Sequence, residues 1–273
     1  MKINSEEIIT LSNDRIILAG LLILVLGFFT WRSDLGVAKP LLVSSFRMVI
    51  QLFLIGLILV YIFSINHPLL VLLIGLIMLL VAGREVSARQ KYSIKGLWSY
   101  GIGTCSMFVS SFAVSIFGLL AIIRAENWWD PRYAIPVLGM LLGNTMTAVA
   151  LSIDRFTANV WNDREMIEAR LIIGETSRVA IKDIVRDSLR SGLMPVINSM
   201  AIAGIVSLPG MMTGQILAGN SPNDAVRYQI VIWLLIAVGC GFGSMIAVKM
   251  VSTKLFDDRE RLRIDRISLK SLN

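Results

Sequence analysis

Seven long apolar stretches divide this chain, and the segments between them alternate between rich and poor in basic residues. A hydrocarbon core of about 30 Å needs roughly 17–25 predominantly apolar residues in helical form. The stretches at about 14–31, 45–65, 68–83, 99–123, 133–151, 193–208 and 228–248 meet or approach that length, the third and sixth being the shortest. The expected fold class is all-α: a polytopic integral membrane protein of about seven transmembrane helices. The charged fraction of 16% agrees, since soluble domains carry roughly 25%.

Orientation follows from the loops. If all seven stretches cross, segments 32–39, 84–98, 152–192 and 249–273 share one side and carry 20 of the 26 Lys and Arg residues. The other side carries five: Lys2, Arg15, Arg124, Arg132 and Arg227. The positive-inside rule then places the N-terminus outside and the C-terminus in the cytoplasm of a multi-pass cell-membrane protein. The net charge of +7 needs no nucleic acid to explain it, because cytoplasmic loops facing anionic lipid are basic. Membrane lipid is the expected partner, and nucleic acid is not. Glu6, Glu7 and Asp14 interrupt the first apolar region, so a cleaved signal is not expected. Cys105 and Cys240 fall in apolar spans and read as small hydrophobes.

Residues 1–273 are expected to form a single transmembrane domain with one substantial insertion, at 152–192. That insertion holds seven basic and seven acidic residues, so lipid attraction alone does not account for it. It reads as two short helices, about 163–173 and 177–190, around a break. Gly174 suits the left-handed position that ends many helices, and Thr176 is placed to cap the second. There Ile181, Ile184, Val185 and Leu189 share one face, with Lys182, Arg186 and Arg190 on another. The elbow either docks a soluble partner or lies as an amphipathic hairpin on the membrane surface.

Within the spans, Arg47 is the most costly residue. Arginine at a helix centre costs about 2.5–3.5 kcal/mol on the insertion scale. It either lines a path, with Gln51 one turn further along the same face, or snorkels to headgroups. Asn144 follows Gly139 and Gly143, a spacing that allows close helix approach; it serves as interhelical glue or as a cargo contact. Pro136 is placed to break that helix near its start. Pro209 and Gly210 are expected to break the sixth span, and irregular backbone at membrane depth must be buried in protein or line a cavity. Met211 and Met212 beyond it either fill gaps or offer thioether sulfur to a soft metal. The sequence holds no Walker motif, so no ATP site of that type is expected in it and the chain does not read as an enzyme.

The segments Ile135-Pro-Val-Leu-Gly-Met-Leu-Leu-Gly-Asn-Thr-Met146, Arg186-Asp-Ser-Leu-Arg-Ser-Gly-Leu-Met-Pro195 and Gly204-Ile-Val-Ser-Leu-Pro-Gly-Met-Met-Thr-Gly-Gln-Ile-Leu-Ala-Gly219, with Arg47 and Gln51, resemble the FetB-type permeases. These are membrane subunits of ABC transporters, implicated in bacterial iron export and, in plant relatives, in aluminium tolerance. The resemblance implies a permease homodimer working with a separate cassette ATPase that binds the ATP and magnesium, with no cofactor held by this chain. It implies iron or another metal, free or chelated, as cargo. The pathway would run past Arg47, Gln51, Asn144 and Pro209, with Met211 and Met212 as metal contacts. Coupling would fall to Glu168, Gly174, Glu175, Thr176, Arg178, Lys182 and Arg186. Glu168, Ala169, Gly174 and Ile184 also match the ATPase-docking loop of ABC permeases, although Arg170 and the pair Arg186-Asp187 depart from it. Two other classes remain open. An ion-coupled carrier would carry carboxylates within its spans, where only Asp14 at the edge of the first is found. A seven-helix membrane receptor, light- or ligand-sensing, is the other; a retinal sensor would need a lysine midway along the last span, whereas Lys249 lies at its end.

Overall fold

Lipid offers no hydrogen bonds, so each spanning segment must satisfy its own backbone, and the apolar stretches become helices. The protein is described here by a computed structural model covering residues 12–65, 67–124 and 127–269. Six helical segments among them are long and apolar enough to cross a membrane: Asp14–Arg32, Ala38–Ile65, Pro68–Ala88, Trp98–Ile123, Pro131–Asn162 and Pro222–Leu255.

The chain divides into two compact units, Met1–Asn66 and His67–Asn273. The first holds α1 (Asn13–Arg32) and α2 (Ala38–Ile65). They form an antiparallel hairpin in which Gly27 lies against the Leu42 side chain. The α1 C-terminus closes with Asp34 at φ 52°. The Leu35 amide reaches back to the Thr30 carbonyl at 3.2 Å and the Asp34 amide to Trp31 at 3.1 Å, a Schellman turn that satisfies the last free carbonyls.

The second unit runs α3 (Pro68–Ala88), β1 (Tyr92–Ile94), α4 (Trp98–Met107), α5 (Ala113–Phe117), α6 (Pro131–Asn162), α7 (Arg164–Ile172), α8 (Ser177–Ala180), α9 (Lys182–Ile202), α10 (Gly210–Leu217), α11 (Pro222–Leu255) and β2 (Ile267–Leu269). Two π-helical turns, Phe108–Phe112 and Gly118–Ile123, carry α4 and α5 into one rod. His67 caps α3, its Nδ1 accepting from the Leu69 amide, and Pro68 occupies the first helical position.

Small residues set the helix directions. Gly83 packs on Thr104 and Gly75 on Phe112, so α3 and the α4–α5 rod are antiparallel. Gly75 meets Leu138 and Gly139 meets Met78, while the Lys91 amide donates to Asp154 at 2.8 Å; α3 and α6 therefore run parallel. A methyl group on Gly243 would lie 2.6 Å from Thr145 Cγ2 and 2.9 Å from Ser110 Oγ, and Gly239 faces Thr145 as well. This close approach is how helices associate where no hydrophobic drive separates protein from solvent. A larger residue at Gly192 would collide with Ser152 Oγ and the Ala148 carbonyl. With Ile181 and Ile184 packed at one end of α6 and Val196 at the other, α9 runs antiparallel to α6.

Two expectations change here. Pro136 does not break α6, which continues through it; it lies close enough to the Asp130 cap that only one early hydrogen bond is lost. The expected division between a cytoplasmic helix ending near 190 and a separate span at 193–208 is absent. α9 runs unbroken from Lys182 to Ile202, because Gly192 serves as a packing site against α6. The irregular segment then begins at Ala203, ahead of Pro209, with Gly204 at φ 83°. Pro209 takes the N-cap position of α10. Residues 193–208 are thus the apolar half of a mixed helix followed by a break, which is why they do not form a full-length apolar span.

Candidate functional site

The elbow is built by local backbone chemistry. At the end of α7, Gly174 takes φ 96°. Its amide bonds the Leu171 carbonyl and the Glu175 amide bonds Arg170, both at 3.1 Å, a complete Schellman closure. Thr176 occupies the N-cap position of α8 but makes no side-chain cap bond. A carboxylate from a distant segment supplies the acceptor instead: Glu260 Oε2 takes the Ser177 amide at 2.6 Å. A charge-assisted bond of this kind is stronger than one to a hydroxyl, and a negative group at a helix start is favoured by the helix dipole. Hydrogen bonds from Ser177, side chain first and then backbone, hold the Glu260 carboxyl below its ordinary value.

Glu260 belongs to a strap that follows α11. Asp257 accepts from the Arg259 and Arg261 amides and the Arg261 guanidinium at 2.8–3.0 Å. Those bonds, the Arg261 amide foremost, lower its carboxyl to about 2. The turn they fix puts Glu260 at φ 59°, aiming its carboxylate at the elbow. Beyond it β2 pairs antiparallel with β1, Tyr92 opposite Leu269 and Ile94 opposite Ile267. Thr157 Oγ1 donates to the Tyr92 carbonyl at 2.8 Å. The segment after α3, the elbow and the strap therefore meet at one end of the second unit.

Ile181 and Ile184 are buried, and Val185 and Leu189 pack on the same core. The apolar face of the elbow is spent on protein, so it does not remain open to lie on a membrane. Glu168, Thr176, Arg178, Lys182 and Arg186 are exposed, while Glu175 is half-buried with its carboxylate 3.9 Å from Arg170. Sequence reasoning missed the tip. Ile172 and Ile173, which precede Gly174, are 84% and 77% exposed. Two adjacent bare isoleucines among so many charges are an apolar knob without cover among the described residues. Only their place at a helix end, next to the glycine, signals them in sequence.

The intramembrane candidates are divided between the two units. Arg47 and Gln51 are exposed on α2 in the first unit. Asn144, Pro209, Met211 and Met212 belong to the second. Asn144 is exposed on α6, and its amide donates to the Met140 carbonyl of its own helix at 2.8 Å. No hydrogen bond joins it to a neighbouring helix among those described, and Gly143 faces open space. The antiparallel register fixed by Gly192 against Ala148 and Ser152 brings Asn198, also exposed, to the level of Asn144. The sequence reading overlooked Asn198. Met211 and Met212 are half-buried on α10, and Met211 packs on the cluster that Trp233 also covers. Buried atoms of Gln215, Gln229 and Trp233 have no hydrogen-bond partner among the described residues. Nor do three or more His, Cys, Asp or Glu side chains gather there as a metal site.

The profile of an uncharacterised protein family, UPF0014, matches residues 14–256. This chain belongs to the UPF0014 family. It is 31% identical over 272 residues to the probable iron export permease protein FetB of Escherichia coli K12, covering 98% of this chain and 100% of that one. It is 34% identical over 251 residues to a UPF0014 membrane protein of Synechocystis, covering 90% and 93%. It is 30% identical over 215 residues to the Arabidopsis thaliana protein ALUMINUM SENSITIVE 3, covering 78% and 77%. No solved structure matches. With its apolar helices and membrane-protein relatives, this UPF0014 chain is a multi-pass membrane protein.

Proposed function

We propose that this chain is the permease subunit of an ABC-type transporter that exports iron or another metal, with ATP hydrolysed by a separate cassette subunit. Two copies would form the pathway, and the loop-rich end of the second unit would face the cytoplasm. The observation that carries the reading is the elbow: a rigid helix–glycine–helix tip, braced by the strap, presenting bare Ile172 and Ile173 among charged residues. Exposed apolar residues rimmed by polar ones mark contact surfaces, and because the elbow's broad apolar face is already packed on this chain's own core, a soluble partner is the economical cover for the tip. Glu168, Gly174, Glu175, Thr176, Arg178, Lys182 and Arg186 would frame that contact. The full-length match to a protein named as an iron export permease supports the cargo.

The pathway would draw on Arg47, Gln51, Asn144, Pro209 and the pair Met211 and Met212, and we add Asn198. These donors are amides, thioethers and one guanidinium. They suit a chelated metal or an anionic complex better than a bare hard cation, which needs a cage of carboxylate oxygens. Nucleotide binding can drive export only by favouring one membrane conformation over another. The test is ATP-dependent metal flux in vesicles holding permease and cassette ATPase together. Arg47→Met should lower flux about tenfold or more, the scale of one lost charge-assisted hydrogen bond, with membrane insertion and ATPase association unchanged. Arg47→Lys should recover part of it, since lysine lacks the planar fork. Normal flux in both variants would remove Arg47 from the pathway; absence of ATP-dependent metal flux in the unaltered pair would overturn the transport assignment.

A further inference from the structure

A second cluster lies apart from the elbow tip. Lys95, Trp98, Lys254 and Arg266, with Ile94 and Asp265, line a concavity of about 540 Å³ between the β1–α4 corner and the strap. Backbone pairing builds it: the Lys95 amide donates to the Arg266 carbonyl at 2.8 Å. Arg266 Nη1 donates to the Lys254 carbonyl at 2.6 Å, which holds the guanidinium beside the last turn of α11. Lys254 Nζ sits 3.6 Å from the centre of the Trp98 ring. The one carboxylate in the lining, Asp265, is held by Arg263 through two bonds of 2.9 Å, so its charge is already met. Three cations therefore converge on one space.

Its depth is set by the α4–α5 rod. The 26 residues of Trp98–Ile123 span at most about 39 Å at the α-helical 1.5 Å per residue, slightly less through the two π-helical turns, against a hydrocarbon core of about 30 Å. A centred rod places Trp98 a few ångströms outside the core, among the headgroups. Trp98 is 53% exposed and its neighbour Leu97 is 84% exposed, an apolar pair beside a cationic hollow. Trp98 is also the first residue of α4, so the positive end of a helix dipole points at the same place. We infer that this concavity binds the phosphodiester headgroup of an anionic phospholipid, with its acyl chains running past Leu97 and Trp98. The inference stands independently of the transport assignment. The chemistry resembles the basic interfacial pockets that recognise acidic lipids elsewhere.

The protein purified from membranes into nanodiscs of phosphatidylcholine with a minor fraction of phosphatidylglycerol gives the test. Native mass spectrometry reads which lipid stays bound after release. The unaltered chain should retain phosphatidylglycerol selectively, one molecule per chain. Lys95→Gln should lower that retention about fivefold, the effect of one cation at a membrane surface. Lys95→Arg should retain it. Arg259→Gln, an exposed cation at the same end outside the concavity, should leave it unchanged. Equal retention of the two lipids, or an equal loss in Arg259→Gln, would overturn the site. Displacement of the lipid by millimolar inorganic phosphate would show a free-phosphate site and overturn the lipid assignment.

Discussion

At the scale of single residues, the decisive contact is Glu260 on the Ser177 amide. Its pKa is lowered in the folded chain by those hydrogen bonds. A depressed carboxyl stabilises above its unfolded value, and that contribution is lost as pH falls through the folded value. The brace should therefore be intact at neutral pH and loosen only below the ordinary glutamate value of 4.5. Hydrogen exchange at the Ser177 amide should be slow at neutral pH, and faster there in Glu260→Gln. Equal protection in the two chains would show that the carboxylate does not brace the elbow. Sequence reasoning placed Gly174 and Thr176 at the right turn positions. It could not find Glu260, because the partner lies 83 residues away and no spacing rule links a strap turn to a helix start. Asn198 escaped for a similar reason: its depth matches Asn144 only through the packing of Gly192.

At the scale of elements, apolar length revealed six helices and hid the nature of α9. Its first half carries Lys182, Asp183, Arg186, Asp187 and Arg190, and its second half is apolar. A hydropathy window divides such a helix in two, whereas α6 and α11 on either side support it as one. α6 and α11 run in the same direction, since Thr145 lies by Gly239 and Gly243 while Ile153 and Val251 share the core beyond them. The chain must therefore return between them, and α9 with the break at Ala203 makes that return. Single cysteines at Ser177 and at Asn220 should react with impermeant reagent from opposite sides of the membrane, Asn220 from outside. Labelling of both positions from the same side would contradict the return through α9.

At the scale of the whole molecule, the second unit gathers its charged loops at one end and ties them with a short β1–β2 pair and the strap. The charge rule assigns this end to the cytoplasmic side of the membrane, an orientation that the labelling at Ser177 and Asn220 tests. Exposure of the elbow tip was signalled only by its place at a helix end beside Gly174, since by composition an isoleucine pair reads as core until tertiary packing leaves it bare. The central claim is that this tip receives a soluble ATPase. Covering two isoleucines contributes about 1.5–3 kcal/mol each, so losing them should weaken association well beyond tenfold. Surface changes elsewhere stay within about 0.5 kcal/mol of stability, so the fold should be unaffected. The direct measurement is the affinity of the purified cassette ATPase for the permease in nanodiscs, unaltered and carrying Ile172→Ser with Ile173→Ser. The account predicts tight binding to the unaltered chain and at least about a hundredfold loss in the double variant at unchanged thermal stability. Equal affinity for the two chains would contradict it.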